Sequence, residues 1–170
     1  MSSRIIVRPA EPRDGGAVVT LARAVAAEPE GWLLADATWR SVAAERRFIR
    51  AVQRHPDAVL LVAEIDGAIV GRLSAARDPH PASSHVADVG LMVSSGSRRA
   101  GVGSAMMRAV EEWARGASIS KLELHAFPYN TPAIALYEKL GYRREGHRER
   151  HYLRPDGQYV DAILLAKLLD

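Results

Sequence analysis

The stretch from Val86 to Phe127 limits the possible folds more than any other part of this chain. It reads as a strand (Val86 to Val93), a Gly- and Arg-rich turn (residues 96 to 103), a helix, and a second strand (Lys121 to Phe127). The helix is marked by apolar residues at helical spacing, namely Val102, Met106, Ala109, Val110 and Trp113, and Gly116 suits a left-handed residue after its last turn. A strand, helix, strand unit almost always closes as a right-handed parallel crossover. The chain is therefore an α/β (α+β) protein with at least one parallel strand pair at its centre.

The flanking segments extend that sheet with antiparallel strands. Arg4 to Arg8 reads as a strand stopped by Pro9, and Asp14 is placed to cap a helix running to about Ala27 through Val18, Leu21, Ala22 and Val25. Glu28 to Ala37, with Pro29 and Gly31, interrupts the helical pattern. A second helix is expected from about Thr38 to Arg54, with Trp39, Val42, Ala43, Phe48, Ile49 and Val52 as its apolar stripe. Val59 to Ile65 and Ala68 to Ala75 flank Asp66-Gly67, the strongest two-residue hairpin signal. A short helix over about 131 to 140 ends at Gly141. Two strands near 142 to 153 and 158 to 168 follow, joined by Arg154-Pro155-Asp156-Gly157.

Composition removes several function classes. At 170 residues the chain is long enough for one domain, spanning residues 1 to 170, and 48% apolar with 25% charged residues is globular composition. The absence of cysteine excludes disulfides, thiolate metal sites and a cysteine nucleophile. The N-terminus lacks the apolar run of a secretory signal and no stretch approaches the ~18 apolar residues of a membrane span, so a cytoplasmic protein is expected. Net charge is only +3, and 20 of the 23 basic residues are Arg. Arg143, Arg144, Arg148, Arg150 and Arg154 are interrupted by Glu145 and Glu149, the pattern of a solvated face rather than of a nucleic-acid surface. No metal site is expected: the six histidines lack ligand spacing, and His147 and His151 fall four apart on a strand, too spread to share an ion.

The turn Arg98-Arg99-Ala100-Gly101-Val102-Gly103 carries the chemistry. Between a strand and a helix, its backbone N–H groups and the positive helix end can face an anion. Its glycines let a diphosphate come close and its arginines add charged contacts. A plain helix start with solvated arginines fits the same hexapeptide equally well. A P-loop is excluded because Ser104-Ala105 follows Gly103 where Lys and Ser or Thr are needed, and a dinucleotide fingerprint is excluded by Met106.

Arg98, Gly101 and Gly103 match the Arg/Gln-x-x-Gly-x-Gly/Ala signature of the GCN5-related N-acetyltransferases, and Asn130 to Tyr142 resembles that family's Asn-x-x-Ala-x-x-Leu-Tyr-x-x-x-Gly-Phe pattern, with Tyr142 in place of Phe. The resemblance spans essentially the whole chain and is weakest at residues 28 to 57. It implies a mixed, mostly antiparallel sheet of six to seven strands, about four flanking helices and a central β-α-β unit for acyl-CoA. His85 to Gly90 and Asp156 to Asp161 resemble a subgroup with amino-acid and phosphinothricin-type acetyltransferases. Members are often homodimers.

The resemblance implies acetyl-CoA as the co-substrate and a small primary amine as the acceptor, an L-amino acid or a similar compound, attacked directly and without a covalent enzyme intermediate. A protein N-terminus, polyamine or antibiotic is the alternative acceptor, and a non-catalytic CoA sensor the alternative class. By the same resemblance, the pyrophosphate rests on Arg98, Arg99, Ala100, Gly101, Val102, Gly103 and Ser104, while the pantetheine arm pairs with Leu91, Met92 and Val93, where an N–H polarises the thioester. Tyr137, in the family pattern, protonates the departing thiolate, although Ala133, Leu136, Tyr137 and Leu140 also fit a buried helix face. Asn130 caps that helix or, as in relatives, contacts the co-substrate. Asp88, a carboxylate in an otherwise apolar strand, is the candidate base, with a structural ion pair as its competing role. Glu28, Glu30 and Trp32, in the loop where relatives build the acceptor pocket, are candidates to hold an ammonium, with an ordinary surface loop around one packed Trp as the competing reading, and Arg72 is one candidate among many to hold a carboxylate.

Overall fold

The computed structural model describes residues 4–33 and 39–170. In chain order the elements are β1 (Ile5–Pro9), α1 (Gly15–Ala26), α2 (Val42–Gln53), β2 (Ala58–Ile65), β3 (Ala68–Arg77), β4 (Val86–Val93), α3 (Val102–Gly116), β5 (Lys121–Ala126), α4 (Thr131–Lys139), β6 (Arg143–Leu153) and β7 (Tyr159–Leu168). The strands form one seven-stranded sheet in the order β1-β2-β3-β4-β5-β7-β6. Every pairing is antiparallel except β4 with β5, the pair that the central unit demands. Asp66 and Gly67 both adopt positive φ, 51° and 81°, which joins β2 to β3 through the tight turn expected of that dipeptide.

Period-two alternation divides each central strand between two cores. Leu61 and Ala63 of β2 join Leu73, Ala87, Val89, Leu122 and Leu124 under α3, with Met106, Met107 and Val110 packed on them. Leu60 and Val62 face the other way, toward Val18 of α1 and Ile49 of α2. Leu21, Ala22 and Val25 of α1 close over Met92 of β4. On that second face the alternate residues of β5, Lys121, Glu123 and His125, are only half-buried, so helix cover stops near β4. No helix among the described residues is long and apolar enough to cross a membrane.

Three local expectations are corrected. Helix α2 starts at Val42, capped by the Ser41 side chain, which accepts from the Ala44 N–H at 3.2 Å, so Trp39 precedes the helix; Thr38, the expected start, lies outside the described residues. Ser118, not Gly116, takes the left-handed conformation after α3 (φ 58°). Asp14 sits at the head of α1, but its carboxylate accepts from the Arg8 guanidinium (2.7 and 2.9 Å) and the Glu11 N–H (2.7 Å) instead of capping α1. A charged fork is a stronger donor than a helix amide. The edge strand β6 is exposed along nearly all its length, interrupted by two register shifts and dense in charge, which blocks further strand addition. Two of its acids and bases are paired across elements, Arg144 with Glu138 and Glu145 with Lys121.

Leu122 is fully buried where β4 and β5 are joined. Leu122→Ala is expected to lower the unfolding free energy by about 2–5 kcal/mol in urea titrations. Leu153→Ala, on the exposed end of β6, should change it by about 0.5 kcal/mol or less.

Candidate active site

The central feature of the site is a strand pair that stops pairing. Strands β4 and β5 are hydrogen-bonded only where Val86, Ala87 and Asp88 face Lys121, Leu122 and Glu123. Beyond Asp88, β4 continues on β3 to Val93 and β5 continues on β7 to Ala126, but the two no longer pair with each other. The edge of β4 from Val89 to Val93 is thus left with backbone groups free to bond an extended ligand arm, the way a sheet edge takes an added strand.

The open end of that cleft meets the Gly-rich turn. Arg99 (φ 61°) and Gly101 (φ 90°) bend the chain sharply, and α3 begins without any side-chain cap at Gly101. Its first-turn N–H groups therefore lack a protein side-chain partner and favour an anion. A Cβ at Gly103 would stand 2.8 Å from Leu136 Cδ2 and 3.7 Å from Leu91 Cδ2, so this glycine also allows α3 to lie close against α4 and β4. The donor set and the close approach both fit a diphosphate.

Arg98 anchors one wall. Its Nε donates to the Val93 carbonyl (3.2 Å), and its two terminal nitrogens grip the Glu28 carboxylate at 2.6 and 2.7 Å. Glu28 accepts in addition from the Trp32 indole (2.9 Å), and Trp32 stacks on Tyr129 at a centroid distance of 6.1 Å. Tyr129 and Arg154 both donate to the Gly31 carbonyl, at 2.7 and 2.8 Å. The loop after α1 is thereby tied to the turn before α3 and to the β6–β7 hairpin. Glu28 and Trp32, expected at an acceptor ammonium, are engaged with Arg98 here. The sequence pattern puts Arg154 on a solvated face, whereas the structure half-buries it against the Gly31 loop, and Tyr129 carries no signal because no spacing relates residues so far apart.

On α4, Asn130 caps the helix by accepting from the Ala133 N–H (3.3 Å). Tyr137 is buried in the main core, its ring 6.0 Å from that of Tyr142, and burial pushes its phenol up to about 12. It is both core residue and protonated phenol.

Alternation along β4 places Asp88, Gly90 and Met92 on the face turned toward α1 and α2, with Ala76, Ser74 and Arg72 beside them on β3. The Asp88 carboxylate makes no hydrogen bond or ion pair among the described residues. It is open to the cleft, yet loss of solvation, reinforced by Glu123 and partly offset by Arg148, raises its carboxyl to about 6.

Arg72 is buried against Trp39 and Phe48, and burial lowers its guanidinium to about 10, with Glu45 acting in the opposite direction. Its Nε has no hydrogen-bond partner, and Glu45 Oε1, 3.7 Å away, has none either. Arg40 and the Trp39 indole occupy the other Glu45 oxygen, both at 3.3 Å. The cluster holds two guanidinium charges against one carboxylate. Glu45 is a site residue that the sequence reading misses, although its place between Val42 and Ile49 on one helix face signals a buried acid. Between Asp88 and α2 lies a groove of about 430 Å³ whose lining includes Phe48, Ala51, Val52 and Val59 together with His55, Ser74 and Gly90.

The Acetyltransferase (GNAT) family profile matches residues 26–142. The chain belongs to the GNAT acetyltransferase family. It is 36% identical to the L-amino acid N-acetyltransferase AaaT of Escherichia coli (strain K12), over 98% of this chain and 99% of that protein. It superimposes on a GNAT-family acetyltransferase from Streptococcus pneumoniae with a TM-score of 0.87 at 25% identity, covering 97% and 99% of the two chains. The yncA protein of Salmonella typhimurium, solved with its cofactor acetyl-CoA, gives a TM-score of 0.86 at 17% identity over 99% and 95% of the chains. The GNAT fold expected from the motifs is the one observed, and the protein is an acetyl-CoA-dependent acetyltransferase.

The folded Asp88 carboxyl titrates near 6 against an ordinary value of 3.8, so between those pH values the folded chain holds a proton that the unfolded chain releases. Asp88 therefore costs stability as pH rises through that window. Thermal unfolding of Asp88→Asn is expected to match the parent below about pH 4 and to exceed it above about pH 6.

Proposed function

We propose that the enzyme acetylates the α-amine of an L-amino acid with an apolar side chain. The observation that carries this reading is the unpaired Asp88 carboxylate at the point where β4 and β5 part, with an apolar groove on one side and an under-bonded guanidinium beyond it. Similarity to an enzyme named for L-amino acids supports the acceptor class.

The substrate's diphosphate would rest on the backbone of Arg98 to Ser104, and its pantetheine arm along Leu91, Met92 and Val93. The acceptor's ammonium would face Asp88, its carboxylate Ser74 and Arg72, and its side chain Phe48, Ala51 and Val52. Asp88 takes one proton from the ammonium, leaving a lone pair on nitrogen. Nitrogen attacks the thioester carbon, a C–N bond forms, and a backbone N–H of β4 stabilises the oxyanion. The C–S bond then breaks while the Tyr137 phenol donates to the departing sulfur, and the second nitrogen proton restores the phenol. Asp88 returns its proton to solvent, so the products are an N-acetyl amino acid, CoA thiol and one proton. Burial keeps the Tyr137 phenol protonated across the working range, as a donor requires.

Within the same reading the enzyme is one domain, works in the cytoplasm where its thioester substrate is made, and is a homodimer, as light scattering would test. For the chemistry, CoA thiol release is measured across L-amino acids, polyamines, aminoglycosides and N-terminal peptides. Leucine-like acceptors should exceed aspartate and glycine by at least tenfold in kcat/KM, and Ala51→Glu should abolish that preference. Turnover confined to polyamines or peptides, or none at all, would defeat the proposal. The parent's kcat/KM should fall below about pH 6 as Asp88 gains its proton. Asp88→Asn and Tyr137→Phe should each lose about 10²-fold in kcat.

A further inference from the structure

The Glu28–Arg98 pair joins the loop after α1 to the turn before α3. Arg98 opens the turn that faces the diphosphate, and the bidentate fork of its guanidinium is the geometry that recognises a phosphate. In the structure that fork is filled: both terminal nitrogens hold the Glu28 carboxylate, and the third nitrogen holds the Val93 carbonyl on the strand that would receive the pantetheine arm. Glu28 is the more buried partner, its side chain 16% exposed, and the Trp32 indole fixes its orientation. The carboxylate thus occupies the bidentate fork that a phosphate would otherwise engage, on the residue that opens the motif turn.

We propose that Glu28 is a built-in competitor for the phosphate seat, which holds Arg98 until the CoA phosphates displace it. This inference rests on the reading of the Arg98 to Ser104 turn as the diphosphate site. Displacement follows from charge: a diphosphate brings more negative charge and more acceptor oxygens than one carboxylate, and the adjacent α3 N-terminus favours it further. The exchange has a cost: Glu28 lowers the apparent affinity for CoA, because part of the binding free energy goes into breaking the internal pair. Glu30 and Arg154 also line the mouth of this loop, and neither touches the Arg98 fork.

The test is calorimetric titration of CoA into the parent, Glu28→Gln, Arg98→Gln and the double variant, with no turnover involved. Glutamine keeps an acceptor oxygen for the Trp32 indole but loses the charge that holds Arg98, so the loop stays tied. Glu28→Gln should bind CoA about fivefold tighter than the parent. Arg98→Gln should bind it more weakly, and adding Glu28→Gln to Arg98→Gln should change nothing further. Glu28→Ala serves as a second variant and should shift affinity in the same direction. Unchanged or weaker binding by both Glu28 variants, or tightening that persists without Arg98, would overturn the competitor role while leaving the diphosphate site intact. A parent protein that fails to bind CoA would instead defeat the functional reading and this inference with it.

Discussion

Three residue pairs join β4 to β5, and their early end shapes the rest of the molecule. If the parallel pairing ran the full length of the strands, the backbone groups of Val89 to Val93 would bond the neighbouring strand and leave nothing for a ligand arm. Because it stops at Asp88, the interior of the sheet has an edge, which among the described residues is otherwise found only at β1 and β6. The stem is held by the best-buried part of the core, where Leu122, Ala87 and Val89 pack under α3. The helix that closes this crossover also begins at the mouth of the cleft. One topological decision therefore supplies both an open strand edge and a helix start without a side-chain cap, the two features on which the proposed acetyl-CoA site rests.

The distribution of charge around the cleft separates roles. Arg98 and Glu28 neutralise each other, as do Arg8 with Asp14 and Lys167 with Glu111 away from the site. Arg72 is only partly matched by Glu45, with an orphan N–H on one and an orphan oxygen on the other. The Asp88 carboxylate has no hydrogen-bonded or ion-paired partner among the described residues, and only the longer-range charge of Arg148 offsets it. A folded chain normally pairs such groups, since uncompensated charge in a poorly solvated position costs free energy. Asp88 and Arg72 stand on the same sheet face of adjacent strands, on either side of Gly90 and Ser74, and the proposed placement of an acceptor's ammonium and carboxylate rests on that arrangement.

Much of this is legible in the sequence. Asp66-Gly67, the Arg154 to Gly157 turn and Gly141 behave as their backbone chemistry requires, and the apolar periods of β2, α3 and β5 land in the cores they indicate. The motif residues of the turn and of α4 identify the fold family because their spacing reflects local backbone geometry. What escapes is long-range: Glu28 meeting Arg98, Tyr129 and Arg154 meeting Gly31, and Glu45 beneath Arg72 depend on loops brought together only by the finished sheet. The early start expected for α2 fails for a local reason, since Ser41 caps the helix through the Ala44 N–H and Trp39 packs beside Arg72 outside the helix. Glycine accommodates the left-handed position most easily, which favours Gly116 on paper, but Ser118 takes that position two residues later.

Amide hydrogen exchange with and without CoA tests the central claim most directly. If the unpaired edge of β4 and the first turn of α3 hold the substrate, CoA should slow exchange at Val89 to Val93 and at Gly101 to Ser104, and leave the exposed strand β6 unchanged. Protection absent from both segments, or appearing instead on β6 and β7, would mean that the gap between β4 and β5 is not where the thioester binds.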